Sequence, residues 1–256
     1  SWNGLDLTLR CLDSLRSQQA PGLDVELVVV DNGSQDGTAE ALAAVPDVHL
    51  VALPRNTGFA GGVNAGIRAT SSDVIVLINN DAVAEPGFVE ALVAPLRTAP
   101  TGTTPRAGGP RVGATTGRVV LSGRFAPAGP ADTAVLVGHD GRRWTRVPEG
   151  GVTLLNSTGN EVTTSGNGRD RDWLAPADGA PAAADVFGFN GGSVLSADPA
   201  MTRSTVMWVM TFSSATETLA LRNWRVFSGM DSCRRTKSPL LAGVVATTSP
   251  VIEATI

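Results

Sequence analysis

Two rhythms of apolar residues alternate along the N-terminal part of the chain. Residues 25–30 (Val-Glu-Leu-Val-Val-Val) and 74–78 (Val-Ile-Val-Leu-Ile) are apolar runs of strand length, rich in β-branched side chains. Residues 49–53 form a shorter run of the same kind. Between them the spacing changes. Leu5, Leu9 and Leu12 lie on one helical stripe, Pro21-Gly22 ends that segment, and residues 36–44 read as a helix with Asp36 or Thr38 near its N-cap. Residues 56–58 read as a turn and 59–68 as a helix of small residues. Pro86 is placed to begin a further helix over 87–96.

Strands alternating with helices of this length predict βαβ units and a mostly parallel, Rossmann-like α/β sheet flanked by helices. Beyond it the pattern loosens. Residues 99–112 are rich in Pro, Gly and Thr and read as a linker or loop, 118–121 and 133–137 as short strands, and 156–173 as Gly-rich loop with little regular structure. Residues 183–195 close the ordered-looking part. The expected organisation is a first half over 1–98, a second half of the same domain over 99–196, and a separate tail over 197–256.

Composition sharpens that last boundary. Residues 1–200 contain neither Met nor Lys, whereas Met201, Met207, Met210, Met230 and Lys237 all lie in the last 56 residues. A chain of 256 residues has ample core. Its net charge of −4 gives no basic surface for nucleic acid. No run approaches the roughly 20 apolar residues of a membrane helix, and no secretory leader opens the chain, so a cytoplasmic protein is expected. Cys11 and Cys233 form neither a disulfide framework nor a metal spacing. The chain does not open with Met, so the native start, and a first strand just before Ser1, are expected upstream.

Three constellations carry candidate chemistry. Asp31 ends the first apolar run and is followed by Asn32-Gly33-Ser34. A carboxylate there can accept hydrogen bonds from a base edge or ribose, and Gly33 lets backbone approach a ligand; the same residues also make an ordinary turn. Asp81 follows Asn79 and Asn80 at the end of the second run. It is placed to hold Mg²⁺ or Mn²⁺ against a diphosphate, although one acid in a polar turn is weak evidence by itself. The third is the Gly- and Ala-rich stretch over 56–66, which is not a dinucleotide fingerprint.

In this order and spacing, Ser1-Trp2-Asn3-Gly4, residues 28–38, residues 55–66 and Leu77-Ile-Asn-Asn-Asp81-Ala82 together resemble the family 2 glycosyltransferases, in particular bacterial rhamnosyltransferase-like members. The likeness is specific through residue 96 and looser through 156–160, 166–171 and 187–192. It implies a GT-A type fold and a nucleoside-diphosphate sugar held with Mg²⁺ or Mn²⁺. The implied donor-binding residues are Ser1, Trp2, Asn3, Asp31, Asn56, Gly58, Asn64, Asn80 and Asp81, with Asp81 on the metal. The acceptor side is implied at Asn190, Gly191 and Gly192. It further implies an inverting transfer to a cell-surface glycan or lipid-linked acceptor, with peripheral contact at the inner face of the membrane.

The chain departs from the family where the general base is expected. Residues 207–218 carry Glu217 as their one acid, so no catalytic base is assigned. Codons can be chosen for 207–214 whose neighbouring frame reads Val-Gly-Asp-Asp-Phe-Phe-Leu, close to the family's text; a frame-shifted, poorly ordered tail from about residue 197 is expected. Two other classes remain open: a nucleotide-sugar-binding module without transfer, and a nucleotidyltransferase, whose phosphate loop Trp2-Asn3-Gly4 does not supply. His49, His139, Cys11, Trp144 and Trp173 read as structural. The sequon at Asn156 reads as chance, and Arg142, Arg143, Arg169 and Arg171 as solvated charge.

Overall fold

The structure is a computed structural model, which describes residues 1–97, 111–179, 184–188, 192–196, 205–211 and 242–254. The chain begins with α1 (Leu5–Arg16), β1 (Asp24–Asp31), α2 (Thr38–Ala43), β2 (Val48–Ala52), α3 (Gly58–Arg68) and β3 (Val74–Asn79). Then come β4 (Ala82–Ala84), α4 (Phe88–Arg97) and β5 (Arg111–Leu121). Six short strands follow: β6 (Arg124–Pro127), β7 (Leu136–Val137), β8 (Arg143–Val147), β9 (Leu155–Ser157), β10 (Asn160–Val162) and β11 (Gly168–Asp170), of which β9 pairs with β5. The last strands are β12 (Ala184–Val186), β13 (Gly192–Ser196), β14 (Thr205–Thr211) and β15 (Ala242–Ala254).

Among the described residues one sheet runs in the order β12-β15-β5-β13-β3-β14-β1-β2. The stretch β3-β14-β1-β2 is parallel throughout, while β13 lies antiparallel to both β3 and β5. This is an α/β architecture, parallel around the N-terminal strands and mixed beyond them, consistent with the fold that the resemblance implies.

Alternation along β1 and β3 explains why both faces are covered. Leu27 and Val29, with Val74, Val76 and Ile78, pack with Leu12, Leu15, Phe88 and Leu92 of α1 and α4. The intervening Val28 and Val30, with Ile75 and Leu77, pack with Val63 and Ala65 of α3. Successive strand side chains point to opposite faces, so a continuous apolar run is what a strand buried on both sides requires.

Two expectations meet a different structure. Residues 156–173 carry β9 and the antiparallel hairpin β10-β11 rather than irregular loop. Polar, Gly-rich strands of three residues leave no apolar alternation to read. The strand expected at 118–121 is the end of the much longer β5. Residues 205–211 form β14, which lies between β1 and β3, and residues 242–254 form β15, which lies beside β5.

Candidate functional site

The parallel ladders put both acid-bearing tips on one edge. Val29 is level with Met210, and Met210 with Ile78, so Asp31 and Asn80 lie two residues further along their strands at the same height. One strand intervenes, which separates the two tips by about 10 Å. The carboxyl edge of a parallel sheet is where α/β proteins gather their ligands.

Ser1 lies against the β1 tip. Asn32 N donates to Ser1 O at 2.7 Å, and Ser1 N donates to Val30 O at 2.5 Å. A polar bridge runs from here to the β3 tip. Ser1 Oγ lies 2.9 Å from Thr8 Oγ1, and Asn80 Nδ2 donates to Thr8 Oγ1 at 3.2 Å. Thr8 donates its own proton to Gly4 O at 2.8 Å, so both remaining bonds are ones it accepts. Ser1, Thr8 and Asn80 are all buried. A Cβ at Gly4 would stand 3.1 Å from Asn80 Nδ2, so glycine lets α1 start close to the strand end.

Asp31 is 1% exposed, and its carboxylate accepts from Ser34 N at 3.0 Å and from Ser34 Oγ. A carboxylate has about four lone-pair positions, so these bonds leave acceptor capacity unused. Asn3, at φ +49°, closes the turn from outside: its N donates to Ser34 Oγ at 2.9 Å and its Oδ1 accepts from Gln35 N at 2.8 Å. Gly33 sits at φ +79°, and a Cβ there would lie 2.6 Å from Arg55 Cα. Only glycine allows the two backbones to touch in this conformation.

Asn56 and Gly58 reach the same tip through Asn32, which the sequence presented only as a turn former. Asn32 is 3% exposed and bonds to Asn56, Thr57 and Gly58. Asn64 is less directly placed. It lies on α3 six residues beyond Gly58, or about 9 Å further along the helix.

Asp81 is partly buried, and burial raises its carboxyl above the ordinary carboxylate range, opposed by its own backbone N–H. No salt bridge to Asp81 occurs among the described residues. Beside it, Asn79 Oδ1 is buried with no hydrogen-bond donor in reach. A carboxylate without a counter-charge and an amide oxygen without a donor are each the kind of oxygen ligand that a hard cation takes. No group of three or more His, Cys, Asp or Glu side chains that could hold a metal occurs among the described residues. Asp81 could therefore serve as a single protein carboxylate, with phosphate oxygens completing the coordination.

Burial drives the Cys11 thiol far up, helped by the nearby Asp81 charge, and its Sγ–H donates to Asn79 O at 3.5 Å. It packs as a neutral core residue. The histidines have local partners: His49 Nδ1 lies 3.1 Å from Glu26 Oε1, and His139 Nε2 lies 3.0 Å from Asp170 O. Gly192 opens β13 level with Ile78, at the same edge as Asp81. Asn190, Gly191 and Glu217 lie outside the described residues.

A partly parallel sheet of this kind, covered by helices on both faces, defines the class as an α/β protein. Residues 1–118 match the model of the family described as Glycosyl transferase family 2. It is 37% identical over 95 residues to the succinoglycan biosynthesis protein ExoO of Rhizobium meliloti (strain 1021), covering 36% of this chain and 27% of that protein. It is also 37% identical over 95 residues to the undecaprenyl-phosphate 4-deoxy-4-formamido-L-arabinose transferase of Shewanella sediminis (strain HAW-EB3), covering 35% and 27%. The chain thus spans about a quarter of the length of these relatives. A solved mannosyltransferase from Pyrobaculum calidifontis, in complex with GDP-Man and Mn²⁺, aligns at a TM-score of 0.37 and 26% identity, over 45% of this chain and 32% of that one.

Proposed function

We propose that the chain is the donor-binding part of an inverting glycosyltransferase that uses a nucleoside-diphosphate sugar and Mg²⁺ or Mn²⁺. The observation that carries this reading is the pair of acid-bearing tips, level on one sheet edge and joined through Ser1, Thr8 and Asn80. Asp31 accepts from the base or ribose, with the Ser34 side chain turning aside to expose its oxygens. Trp2, Asn3, Asn56, Gly58 and Asn64 border that half. Asp81 would hold the divalent ion and Asn80 the sugar side of the diphosphate. When bound, the ion supplies charge neutralisation for the departing diphosphate.

The acceptor enters over the β13 side, where Asn190, Gly191 and Gly192 are proposed to line its path. The printed names of the relatives, a succinoglycan biosynthesis protein and an undecaprenyl-phosphate transferase, favour a growing glycan or a lipid-linked acceptor. Action at the inner membrane face as a peripheral protein is part of the proposal. No helix among the described residues is long and apolar enough to cross a membrane.

One observation favours a second reading, a nucleotide-sugar-binding module without transfer: residues 207–218 offer Glu217 as their one acid. A donor-hydrolysis assay separates the two. Metal-dependent release of nucleoside diphosphate that Asp81→Ala abolishes supports the enzyme. Donor binding by calorimetry with no turnover supports the module. Neither binding nor turnover with any of UDP-, dTDP- or GDP-sugars refutes both.

A further inference from the structure

Asn32 uses every hydrogen-bonding position of its side-chain amide. Oδ1 accepts from Thr57 N at 2.9 Å and from Thr57 Oγ1 at 3.0 Å, while Nδ2 donates to Gly58 O at 3.1 Å and to Asn56 Oδ1 at 3.3 Å. Two backbone N–H groups dictate both amide orientations. Thr57 N–H can only donate, so Asn32 must turn its oxygen toward it and its NH₂ toward Gly58 O and Asn56. Gly58 N–H donates to Asn56 Oδ1 at 2.8 Å, so Asn56 must turn its oxygen inward as well. With that oxygen committed twice, Asn56 has only its Nδ2 donors left to offer, from an exposed position beside the Asp31 tip.

We infer that Asn32 is a positioning residue for nucleotide recognition. It anchors the 56–58 turn to β1 and fixes Asn56 so that two N–H donors, rather than a carbonyl oxygen, face the ligand. The ligand atom met there is an acceptor: a base carbonyl, a ribose oxygen or a phosphate oxygen of a nucleoside diphosphate. This rests on the donor-site reading above.

The near-isosteric Asn32→Asp separates orientation from packing. Its second oxygen would face Gly58 O and Asn56 Oδ1, and relief comes from turning Asn56 around. That buries the Asn56 donors, leaves Gly58 N–H without its acceptor, and presents an oxygen outward. Protonating the new carboxyl restores a donor, so the defect should be pH-dependent. Asn32→Ala simply loses the anchor and should show no such recovery.

The test uses the full chain with UDP, dTDP and GDP in the presence of Mn²⁺, followed by calorimetry at pH 8 and pH 5.5. Hydrogen exchange is read over residues 54–61. The ratio of wild-type to variant affinity is taken at each pH, which cancels any loss common to both. We expect Asn32→Asp to weaken binding about tenfold at pH 8 and to approach the wild type at pH 5.5. Asn32→Ala should be weakened similarly at both pH values, with faster exchange over 54–61. Unchanged exchange in both variants overturns the anchoring. Unchanged nucleotide affinity alongside faster exchange overturns the recognition role. A wild type that binds none of the three nucleotides refutes the donor-site reading itself, while the exchange result still decides whether Asn32 anchors the turn.

Discussion

Asp81 holds its negative charge in a partly buried place where no basic side chain among the described residues answers it. Because burial raises its pKa, the folded state binds a proton more readily than the unfolded chain does. In the window between the ordinary and the raised value the folded state carries more protons, so stability falls as pH rises through it. Asp81→Asn should therefore raise Tm at pH 7, and this gain should vanish below the ordinary carboxyl pKa of 3.8. Calorimetric scans at pH 3.5 and 7 check the sign. The same titration should weaken Mn²⁺ binding on acidification, because only the ionised carboxylate is a ligand. Thr8 gives a second residue-scale test. Thr8→Val keeps the shape and removes the hydroxyl between Ser1 and Asn80, leaving Asn80 Nδ2 buried without that acceptor; the expected cost is about 1–3 kcal/mol by urea unfolding. Thr8→Ser should recover most of it. Asp31 and Asp81 stood out in the sequence because each ends an apolar run. Thr8 and Asn32 did not. The available signal for Thr8 was a hydroxyl on the stripe of Leu5 and Leu12, a polar group on a face that must be buried. Asn32 had no signal, since an Asn before Gly is ordinary turn chemistry whether or not its side chain reaches a partner 25 residues away.

Helix α3 shows how an element presents the site. A Cβ at Gly61 would stand 2.6 Å from Thr57 Cβ, and Thr57 is the residue that donates twice to Asn32. Gly61→Ala should push Thr57 aside and loosen the turn, despite alanine's better helix propensity. Its expected outcome is faster hydrogen exchange over 54–61 and weaker nucleotide binding, with helix content by circular dichroism unchanged or slightly higher. On the opposite face Phe88 is fully buried among α1, α4 and the sheet. Phe88→Ala should cost about 3–5 kcal/mol by denaturant unfolding, since it removes a large side chain and leaves a cavity. The elements around these positions were legible because β1 and β3 are apolar runs and α3 is a run of small residues. The β9-β10-β11 region was not. There the backbone is held by contacts such as Asn160 N to Gly188 O at 2.9 Å and Thr158 N to Arg171 O at 3.1 Å, and by Gly159 at φ +114°, none of which leaves a pattern in side-chain polarity.

At the scale of the molecule, the N-terminal half and the rest were unequally readable for one physical reason. A parallel strand buried on both faces must be apolar at every position, so it declares itself; a strand added from far along the chain depends on partners the local sequence does not name. The placement of β14 between β1 and β3 is of the second kind. It lies in the ladder that keeps the Asp31 and Asp81 tips level, so the geometry of the site depends on a pairing between residues nearly two hundred positions apart. The central claim is that these two carboxylates serve a single ligand, one at its nucleoside and the other at its cation-bridged diphosphate. Calorimetry of UDP, dTDP and GDP, with and without Mn²⁺, on the wild type, Asp31→Ala and Asp81→Asn tests it most directly. The account predicts metal-enhanced binding of at least one nucleotide by the wild type, loss of the metal enhancement alone in Asp81→Asn, and loss of affinity with and without metal in Asp31→Ala. Nucleotide binding that is indifferent to Mn²⁺ and to both substitutions would contradict it.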